Sequence, residues 1–381
     1  MEGSPHITAG ELWRRLFRGH HTPFFILDLR TEEEARARPL VGKRNARVIN
    51  IPAAHFQADE AEALAHIPRR QGEAVVVCRE GNLCRTVAER LRADGRAAVY
   101  LHGGMRAWLD LHVPLAVPLR AQEQRRFELW QVNRYGKGCL SHVIIAGVEA
   151  VVVDPSSFTD EYTRLVRQAG AHITLVLDTH VHADHVSGGP ELARRLGVPY
   201  RVASGTGPEP ALGLPVIPPR EDERVLLDGP DGISIRVIAA PGHTPGSVMY
   251  LVNERYLLSG DTLLVSGLGP PDGAEVTAPW ARQVHRRLHD VMRALPVDTQ
   301  ILPTHFTCVE ELDASGLART SLAVFQEMVP ELWDPDPEPF IRAVTAVVTQ
   351  LPRVDERIRK VNLGLLLPDA RTGDWELSSN A

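Results

Sequence analysis

The sequence contains little cysteine and no long apolar segment. Four cysteines among 381 residues are too few for a disulfide framework, so we expect reduced thiols and a cytoplasmic protein. No run approaches the roughly 18 uninterrupted apolar residues of a membrane-spanning helix. Residues 1–6 lack the basic and apolar regions that open a signal peptide. We therefore expect neither a secreted disulfide scaffold nor a membrane protein.

The chain has no excess of positive charge either. The formal net charge is −6, so nucleic-acid binding has no electrostatic support. Hydrophobic residues make up 44% of the chain and charged residues 24%, as in an ordinary globular protein. The length of 381 residues predicts two or three domains.

Two prolines mark the clearest seam in the chain. Pro114 and Pro118 lie in an otherwise apolar segment and favour extended backbone around them. We predict a boundary there, with one domain at residues 1–118 and another at residues 119–381. In the first domain, buried strands are predicted at residues 24–29, 48–51, 74–77 and 98–101. Helical patterns such as residues 86–93 alternate with these strands, which predicts an α/β domain with a mainly parallel sheet.

The second domain opens with consecutive strands instead of alternating elements. Strands are predicted at residues 127–132, 140–146, 150–154, 174–177, 233–238, 248–252 and 256–258. A helix is predicted at residues 160–169, between the third and fourth of these strands. Two series of strands with helical patterns between and after them predict two sheets that carry helices on their outer faces.

Three histidines and one aspartate crowd the loop that follows the predicted strand at residues 174–177. They are His180, His182, Asp184 and His185. Side chains on a loop that leaves a strand can converge on one point, and imidazole with carboxylate suits zinc, iron or manganese. Packing alone requires no such cluster, so the sequence predicts a metal site.

Three further candidate ligands each lie just beyond another strand, beside glycine or proline. They are His243, Asp261 and His305. Taken singly, each indicates only a turn, and Asp261 could equally cap a helix. Together, and all after strands, they predict one shared site, because strand-end loops are where a rigid scaffold aims ligands at each other.

A cysteine follows a buried strand in the first domain. Cys78 comes directly after residues 74–77, and a glycine-containing loop separates it from a helix predicted to begin near Thr86. Backbone N–H groups of such a loop lower a thiol pKa and hold an anion such as a persulfide or thiosulfate. The simpler interpretation is a small buried hydrophobe. We favour Cys78 as the reactive thiol because it ends the strand. A second thiol, Cys84, could react with modified Cys78 and form an intramolecular disulfide.

The metal-ligand pattern resembles the metallo-β-lactamase superfamily. The resemblance covers most of residues 125–381 and implies an αββα sandwich with the metal at one edge. Within the superfamily, the sequences around His180, His243 and Asp261 most closely resemble persulfide dioxygenases, with glyoxalase II next. The segment Lys-Val-Asn-Leu-Gly at residues 360–364 also resembles dioxygenase tails.

The first domain resembles a rhodanese domain. The segments that carry this resemblance are residues 25–34, 48–52 and 101–108. Cys78 falls at the persulfide-carrying position of that family. Leu83 stands where many rhodaneses have a basic residue, which puts anion specificity in question, although Arg79 and Arg85 are nearby in the sequence.

The dioxygenase resemblance implies one Fe(II) per chain held by His180, His243 and Asp261. Two imidazoles and one carboxylate on one face of the ion leave three positions open. His182, Asp184, His185 and His305 would then hold ligands and water. The implied reaction oxidises a thiol persulfide, expected to be glutathione persulfide, to sulfite with dioxygen. Cys78 would transfer sulfane sulfur between thiol, thiosulfate and sulfite, and a homodimer is compatible with this scheme.

Several alternatives remain open at the level of sequence. A glyoxalase II-like thioester hydrolase would use two zinc ions, with His182, Asp184, His185 and His305 among their ligands and Asp261 bridging. A sulfur carrier with a degenerate metal site is suggested by Leu83 and by Pro270, because related dioxygenases often have arginine at the latter position. Arg220 or Arg282 could supply that missing cation. The negative charge argues against a nuclease, and the rhodanese-like domain argues against a lactonase.

Overall fold

The computed structural model describes residues 5–40, 42–43, 46–203, 205, 209–229, 232–272, 277–346, 356–369 and 372–378. The chain forms two compact units. Unit 1 contains Met1–Val113 with the short segments Arg134–Lys137 and Ala314–Gly316, and unit 2 contains the remainder. The domain organisation with a boundary at residues 118/119 stays a prediction.

Unit 1 is built on one five-stranded parallel sheet. Its strands are β1 (His6–Ile7), β2 (Phe24–Asp28), β3 (Arg47–Asn50), β4 (Glu73–Val77) and β5 (Ala98–Leu101), in the order β1-β5-β4-β2-β3. Its helices are α1 (Ala9–Phe17), α2 (Glu32–Ala37), α3 (Ala53–Ala58), α4 (Glu60–Ala65), α5 (Asn82–Ala93) and α6 (Gly104–Leu109). Every strand pair is parallel, which confirms the predicted α/β class with a parallel sheet.

The apolar run of β4 explains why this strand lies in the centre of the sheet. Residues 74–77 are buried because helices cover both faces of a parallel sheet. Helix α5 begins at Asn82, four residues before the predicted start. Gly81 is the physical reason, since its backbone has φ +93 and turns the chain directly from the loop into the helix.

Unit 2 contains two six-stranded sheets. The first has the order β11-β10-β9-β8-β7-β6, with β6 (Val113–Ala116), β7 (Glu128–Arg134), β8 (Cys139–Ala146), β9 (Glu149–Val153), β10 (His172–Leu177) and β11 (Tyr200–Arg201). The second follows chain order through β12 (Arg224–Leu227), β13 (Ile233–Ala239), β14 (Val248–Val252), β15 (Tyr256–Gly260), β16 (Gln300–Pro303) and β17 (Thr320–Ser321).

Helices cover the outer faces of these two sheets. They are α7 (Thr159–Gln168), α8 (Gly189–Leu196), α9 (Ala278–Ala294), α10 (Leu322–Met328) and α11 (Glu338–Ala346). Two further helices, α12 (Glu356–Asn362) and α13 (Thr372–Ser378), pack together in a small separate cluster with Val186. Tyr162 of α7 and Leu192 of α8 pack on Val152 of the first sheet. Leu288 of α9 and Phe325 of α10 pack with Leu251 of the second. The predicted αββα arrangement is therefore confirmed.

The strand ends determine where the candidate ligands lie. Strand β10 runs into the loop of His180, β13 into that of His243, β15 into Asp261 and β16 into His305. No helix within the described ranges is long and apolar enough to cross a membrane.

Candidate metal centre

His180, His243 and Asp261 form a compact group of metal donors. The Nε2 atoms of both histidines lie 3.6 Å from Oδ2 of Asp261. The two imidazole rings are 4.8 Å apart and nearly perpendicular. His180 is buried, whereas the side chains of His243 and Asp261 are each 10% exposed. The group is therefore reachable from solvent on the side of His243 and Asp261.

Hydrogen bonds place the ring proton of His180 and of His243 on Nδ1, the nitrogen that faces away from Asp261. Nδ1 of His243 donates to the carbonyl oxygen of Pro270 at 2.6 Å. Nδ1 of His180 lies 3.0 Å from Oγ1 of Thr179, and this hydroxyl donates in turn to Oδ1 of Asp154 at 3.0 Å. Both Nε2 atoms therefore offer a lone pair to the group, which fits a divalent metal ion.

Burial and the neighbouring charges also favour a neutral imidazole at His180. Burial, followed by the electrostatic influence of the neighbouring His182 and His243, holds the pKa of His180 well below its usual range.

The carboxylate of Asp261 is held in its ionised form. Burial would raise the pKa of Asp261, but His305, His243 and His180 together hold the pKa well below its usual range. Nδ1 of His305 lies 2.7 and 2.8 Å from the two carboxylate oxygens, and the hydroxyl of Thr304 donates to Oδ1 at 2.6 Å. Gly260 lets Thr179 pack close to the end of β15, because a Cβ at position 260 would lie 2.8 Å from Oγ1 of Thr179.

A second buried group lies on the other side of His305. It consists of Cys139, Asp184, His185 and His305. Oδ2 of Asp184 lies 3.0 Å from Nε2 of His305 and 3.5 Å from Sγ of Cys139. Nδ1 of His185 lies 3.1 Å from both oxygens of Asp184. Three of these residues, Asp184, His185 and His305, were predicted for the metal site. Cys139 was not.

The charges in this second group are strongly coupled. Burial would raise the pKa of Asp184, but His185 and His305 hold it well below its usual range. Burial also opposes a thiolate at Cys139, yet the positive charge of His185 contributes to lowering the pKa of Cys139 to about 6. A carboxylate, a thiol and two imidazoles are ligands that zinc accepts.

His182 belongs to a third group, with Asp154 and Asp178. Its Nε2 lies 3.1 Å from Oδ1 of Asp154. Burial raises the pKa of Asp178 to about 7, and the hydroxyls of Ser187 and Tyr200 donate to its Oδ2 at 2.6 Å. The structure therefore engages the Nε2 of His182 with Asp154 and not with the Asp261 group.

Two residues for which no role was predicted support the loop at residues 180–185. Asp154 accepts hydrogen bonds from the backbone N–H and the hydroxyl of Thr179 at 2.7 and 3.0 Å. Its position directly after β9 follows the same strand-end pattern as the predicted ligands, so this pattern could have identified it. Asn362, within the predicted dioxygenase-like tail, donates to the carbonyls of His182 and His185 at 2.9 Å each.

The arginines predicted to compensate for Pro270 have other surroundings. Arg282 forms an ion pair with Glu338 at 2.5 Å, and Arg220 is exposed. Arg359 instead reaches this region, because it binds Asp272 at 2.6 Å and the backbone N–H of Asp272 donates to the carbonyl of His243 at 2.7 Å.

Cys78 occupies the loop between β4 and α5 in unit 1. Its sulfur accepts hydrogen bonds from the backbone N–H groups of Gly81 and Cys84, each at 3.2 Å. A hydrogen bond from the Cys84 side chain, aided by these backbone groups and opposed by burial, lowers the pKa of Cys78 to about 6. A pocket of about 460 Å³ opens beside it, lined among others by Arg79 and Leu83. The loop can therefore stabilise a thiolate at the wall of a pocket.

Comparison with known proteins assigns both parts of the chain. Residues 134–305 match the metallo-beta-lactamase superfamily, and residues 8–111 match the rhodanese-like domain. A hydroxyacylglutathione hydrolase of Actinobacillus pleuropneumoniae is 30% identical over 181 residues, which is 47% of this chain and 70% of the relative. The chain belongs to the metallo-β-lactamase superfamily. It also carries a rhodanese-like domain.

Other members of the superfamily show similar likeness. A hydroxyacylglutathione hydrolase of Anaeromyxobacter dehalogenans is 38% identical over 137 residues, which cover 36% of this chain and 51% of the relative. The human mitochondrial persulfide dioxygenase ETHE1 is 30% identical over 160 residues, covering 41% of this chain and 59% of the relative. The chain thus spans between half and three-fifths of the length of these two relatives.

Solved structures agree with the fold. A metallo-beta-lactamase from Staphylococcus aureus is 22% identical, with a TM-score of 0.55 over 64% of this chain and 74% of that one. ETHE1 from Myxococcus xanthus is 26% identical, with a TM-score of 0.51 over 62% of this chain and 97% of that one.

Proposed function

We propose that unit 2 oxidises a thiol persulfide to sulfite with dioxygen, and that Cys78 in unit 1 transfers sulfane sulfur. The expected substrate is glutathione persulfide. The observation that carries the proposal is the donor group of His180, His243 and Asp261, whose ligand atoms all lie within 4.8 Å of one another. Two histidines and one carboxylate are the ligand set of oxygen-using non-haem iron enzymes. The likeness to persulfide dioxygenases supports the same reaction.

His180, His243 and Asp261 would hold one Fe(II) ion. The chemistry supplied by the bound iron is the reaction of dioxygen with a reduced sulfur atom. The residues around it prepare that chemistry by fixing the imidazole rings. Thr179 and the carbonyl of Pro270 keep both Nδ1 atoms protonated, so both Nε2 lone pairs face Asp261. The side chains of His243 and Asp261 are each 10% exposed, so a substrate would approach the group from their side.

Cys78 would act as the sulfur acceptor in unit 1. Its thiolate attacks the outer sulfur of a persulfide, the donor's S–S bond breaks, and the donor leaves as a thiol. With thiosulfate the leaving group is sulfite. The N–H groups of Gly81 and Cys84, which bind the sulfur at 3.2 Å, would stabilise the anion before and after transfer.

The dioxygenase assignment is tested by oxygen consumption. The protein is loaded with Fe(II) without oxygen, and glutathione persulfide is then added with dissolved oxygen. We expect oxygen uptake and sulfite formation, both lost in His243→Ala and both retained in the exposed control Cys308→Ser. An iron-replete protein that consumes no oxygen with this substrate would overturn the assignment.

A two-metal thioester hydrolase is the second candidate. The observation that favours it is the position of His305, which hydrogen bonds to Asp261 through Nδ1 and to Asp184 through Nε2. The hydroxyacylglutathione hydrolases among the relatives support it as well. In this case about two zinc ions per chain and hydrolysis of a glutathione thioester are expected, without oxygen uptake.

A sulfur carrier with an inactive metal site makes a third, distinct prediction. Under this alternative, the rate of sulfur transfer would be lost in Cys78→Ser and unchanged in His180→Ala.

A further inference from the structure

Two cysteines, not one, meet at the reactive loop of unit 1. The backbone N–H of Cys84 donates to the sulfur of Cys78 at 3.2 Å. The thiol of Cys84 also donates to the carbonyl of Gly81 at 3.2 Å, and the N–H of Gly81 binds the Cys78 sulfur. Cys84 is therefore held beside the sulfur atom that would receive sulfane sulfur.

The two thiols differ in their access to other molecules. Cys78 lines the pocket together with Arg79 and Leu83, so a dissolved donor that enters the pocket comes next to this residue. Cys84 has no exposed surface and packs in the apolar core of unit 1 with Val87 and Leu91. A molecule that enters the pocket meets Cys78 first, and Cys84 can react with that molecule only through Cys78.

The two thiols also differ in protonation. The hydrogen bond to Cys78, followed by burial, raises the pKa of Cys84 well above its usual range. The pKa of Cys78 is lowered to about 6. At neutral pH the pair therefore consists of a Cys78 thiolate and a Cys84 thiol that still carries a proton.

We propose that Cys84 is a second catalytic thiol, which releases hydrosulfide from persulfidated Cys78 by forming a Cys78–Cys84 disulfide. This proposal rests on the proposed role of Cys78 as sulfur acceptor. The sulfur of Cys84 attacks Sγ of Cys78, a bond forms between the two cysteine sulfurs, and the bond from Sγ to the outer sulfur breaks. The outer sulfur leaves with the electron pair of that bond and takes the proton of Cys84, so the persulfide anion and one thiol become one disulfide and one HS⁻. No outside oxidant is needed, because the sulfane sulfur itself is reduced.

Small thiols close the cycle. A low-molecular-weight thiol attacks Sγ of Cys78 from the pocket and releases Cys84, which is the buried partner. A second thiol attacks the mixed disulfide and releases Cys78, whose low pKa makes it the better leaving group. Unit 1 would then convert sulfane sulfur to sulfide at the expense of two thiols.

The test is a single turnover of the full-length protein without oxygen. The protein is treated with one equivalent of glutathione persulfide, filtered rapidly to remove small thiols, and examined by intact mass and by a sulfide assay. We expect wild-type protein to release about one sulfide per chain and to become about 2 Da lighter than the reduced protein. Non-reducing digestion should then yield a peptide pair joined through Cys78 and Cys84.

Cys84→Ser should stop the reaction at the persulfide. This variant is expected to stay about 32 Da heavier at Cys78 and to release no sulfide. Cys84→Ala should behave in the same way, and Cys308→Ser should behave as wild type because Cys308 is an exposed thiol of unit 2.

The outcomes separate the two proposals. A stable persulfide on wild-type Cys78, with no disulfide and no sulfide, overturns the role of Cys84 and leaves sulfur acceptance intact. The absence of a persulfide in both Cys84 variants, together with unmodified wild-type protein, overturns sulfur acceptance by Cys78 itself. The wild-type measurements decide the question even where a variant folds poorly.

Discussion

Cys78 and His180 each follow the end of a buried strand, but the groups that prepare them for reaction differ in kind. Around Cys78 the main fixed donors are backbone N–H groups of residues 81 and 84. Around His180 they are side chains, with Thr179 linking the imidazole to Asp154. Backbone donors survive most side-chain substitutions and are lost only when the loop changes conformation. A side-chain network can lose one member at a time, so the metal centre should respond in graded steps.

The largest effect is expected at the sulfur acceptor. Cys78→Ser removes the only thiol of the loop that lines the pocket, so sulfur transfer should fall to the background rate. Persulfide formation followed by intact mass measures this, and the metal content should stay that of wild type. Transfer that persists in Cys78→Ser would mean that the acceptor is another residue.

The next largest effect separates two histidines of the same loop. His180→Ala should weaken metal binding by more than about 100-fold, because it removes a proposed ligand. His182→Ala should weaken it by about 10- to 100-fold, because His182 acts through Asp154. Metal titration against a coloured chelator measures both constants. Equal losses would contradict the separate roles and favour a site with three histidine ligands.

A smaller loss is expected when the carboxylate behind His180 is neutralised. Asp154→Asn keeps the shape of the side chain but removes the charge that accepts from Thr179. We expect metal binding to weaken by about tenfold, since groups that orient a ligand contribute 10- to 100-fold. Asp160→Asn is the matched control, because the Asp160 side chain is 91% exposed. If Asp154→Asn and Asp160→Asn bind the metal with the same affinity, Asp154 does not contribute to metal binding.

The smallest effect concerns the pH dependence of Cys78. Its pKa is lowered from 9.0 to about 6, so the thiolate persists as the pH falls from 9 to about 6 and is lost below that. The rate of alkylation by iodoacetamide should therefore fall with a midpoint near pH 6 in wild type. Gly81→Ala should move the midpoint towards 9, because a Cβ there would lie 2.8 Å from the backbone N of Gly103 and the loop must shift. A midpoint that stays unchanged in this variant would contradict the role of the backbone donors.

Local sequence patterns predicted what lies on one strand and its loop. Cys78, His180, His243 and Asp261 could be singled out because each follows an apolar strand within a few residues. Cys139 could not, since its proximity to His305 arises from pairing between β8 and the end of β16, more than 150 residues further along the chain. The sequence also gave no indication that Pro270 supplies a carbonyl oxygen to His243, because a backbone acceptor is independent of residue type.

The predicted helix start near Thr86 was wrong for a related reason. The conformation of a single glycine, Gly81, moves the start to Asn82 and places Cys84 in the first turn of the helix. Backbone conformation at one position thus decides whether the second thiol lies beside the first, and residue type alone did not reveal it.

The most direct test of the central claim is the number and identity of metal ions in the protein purified without added metal. If His180, His243 and Asp261 hold an oxygen-activating centre, about one iron per chain should be found, and the iron should be lost in His243→Ala. About two zinc ions per chain, lost in part on replacing His185 by alanine, would contradict the dioxygenase account and favour the thioester hydrolase.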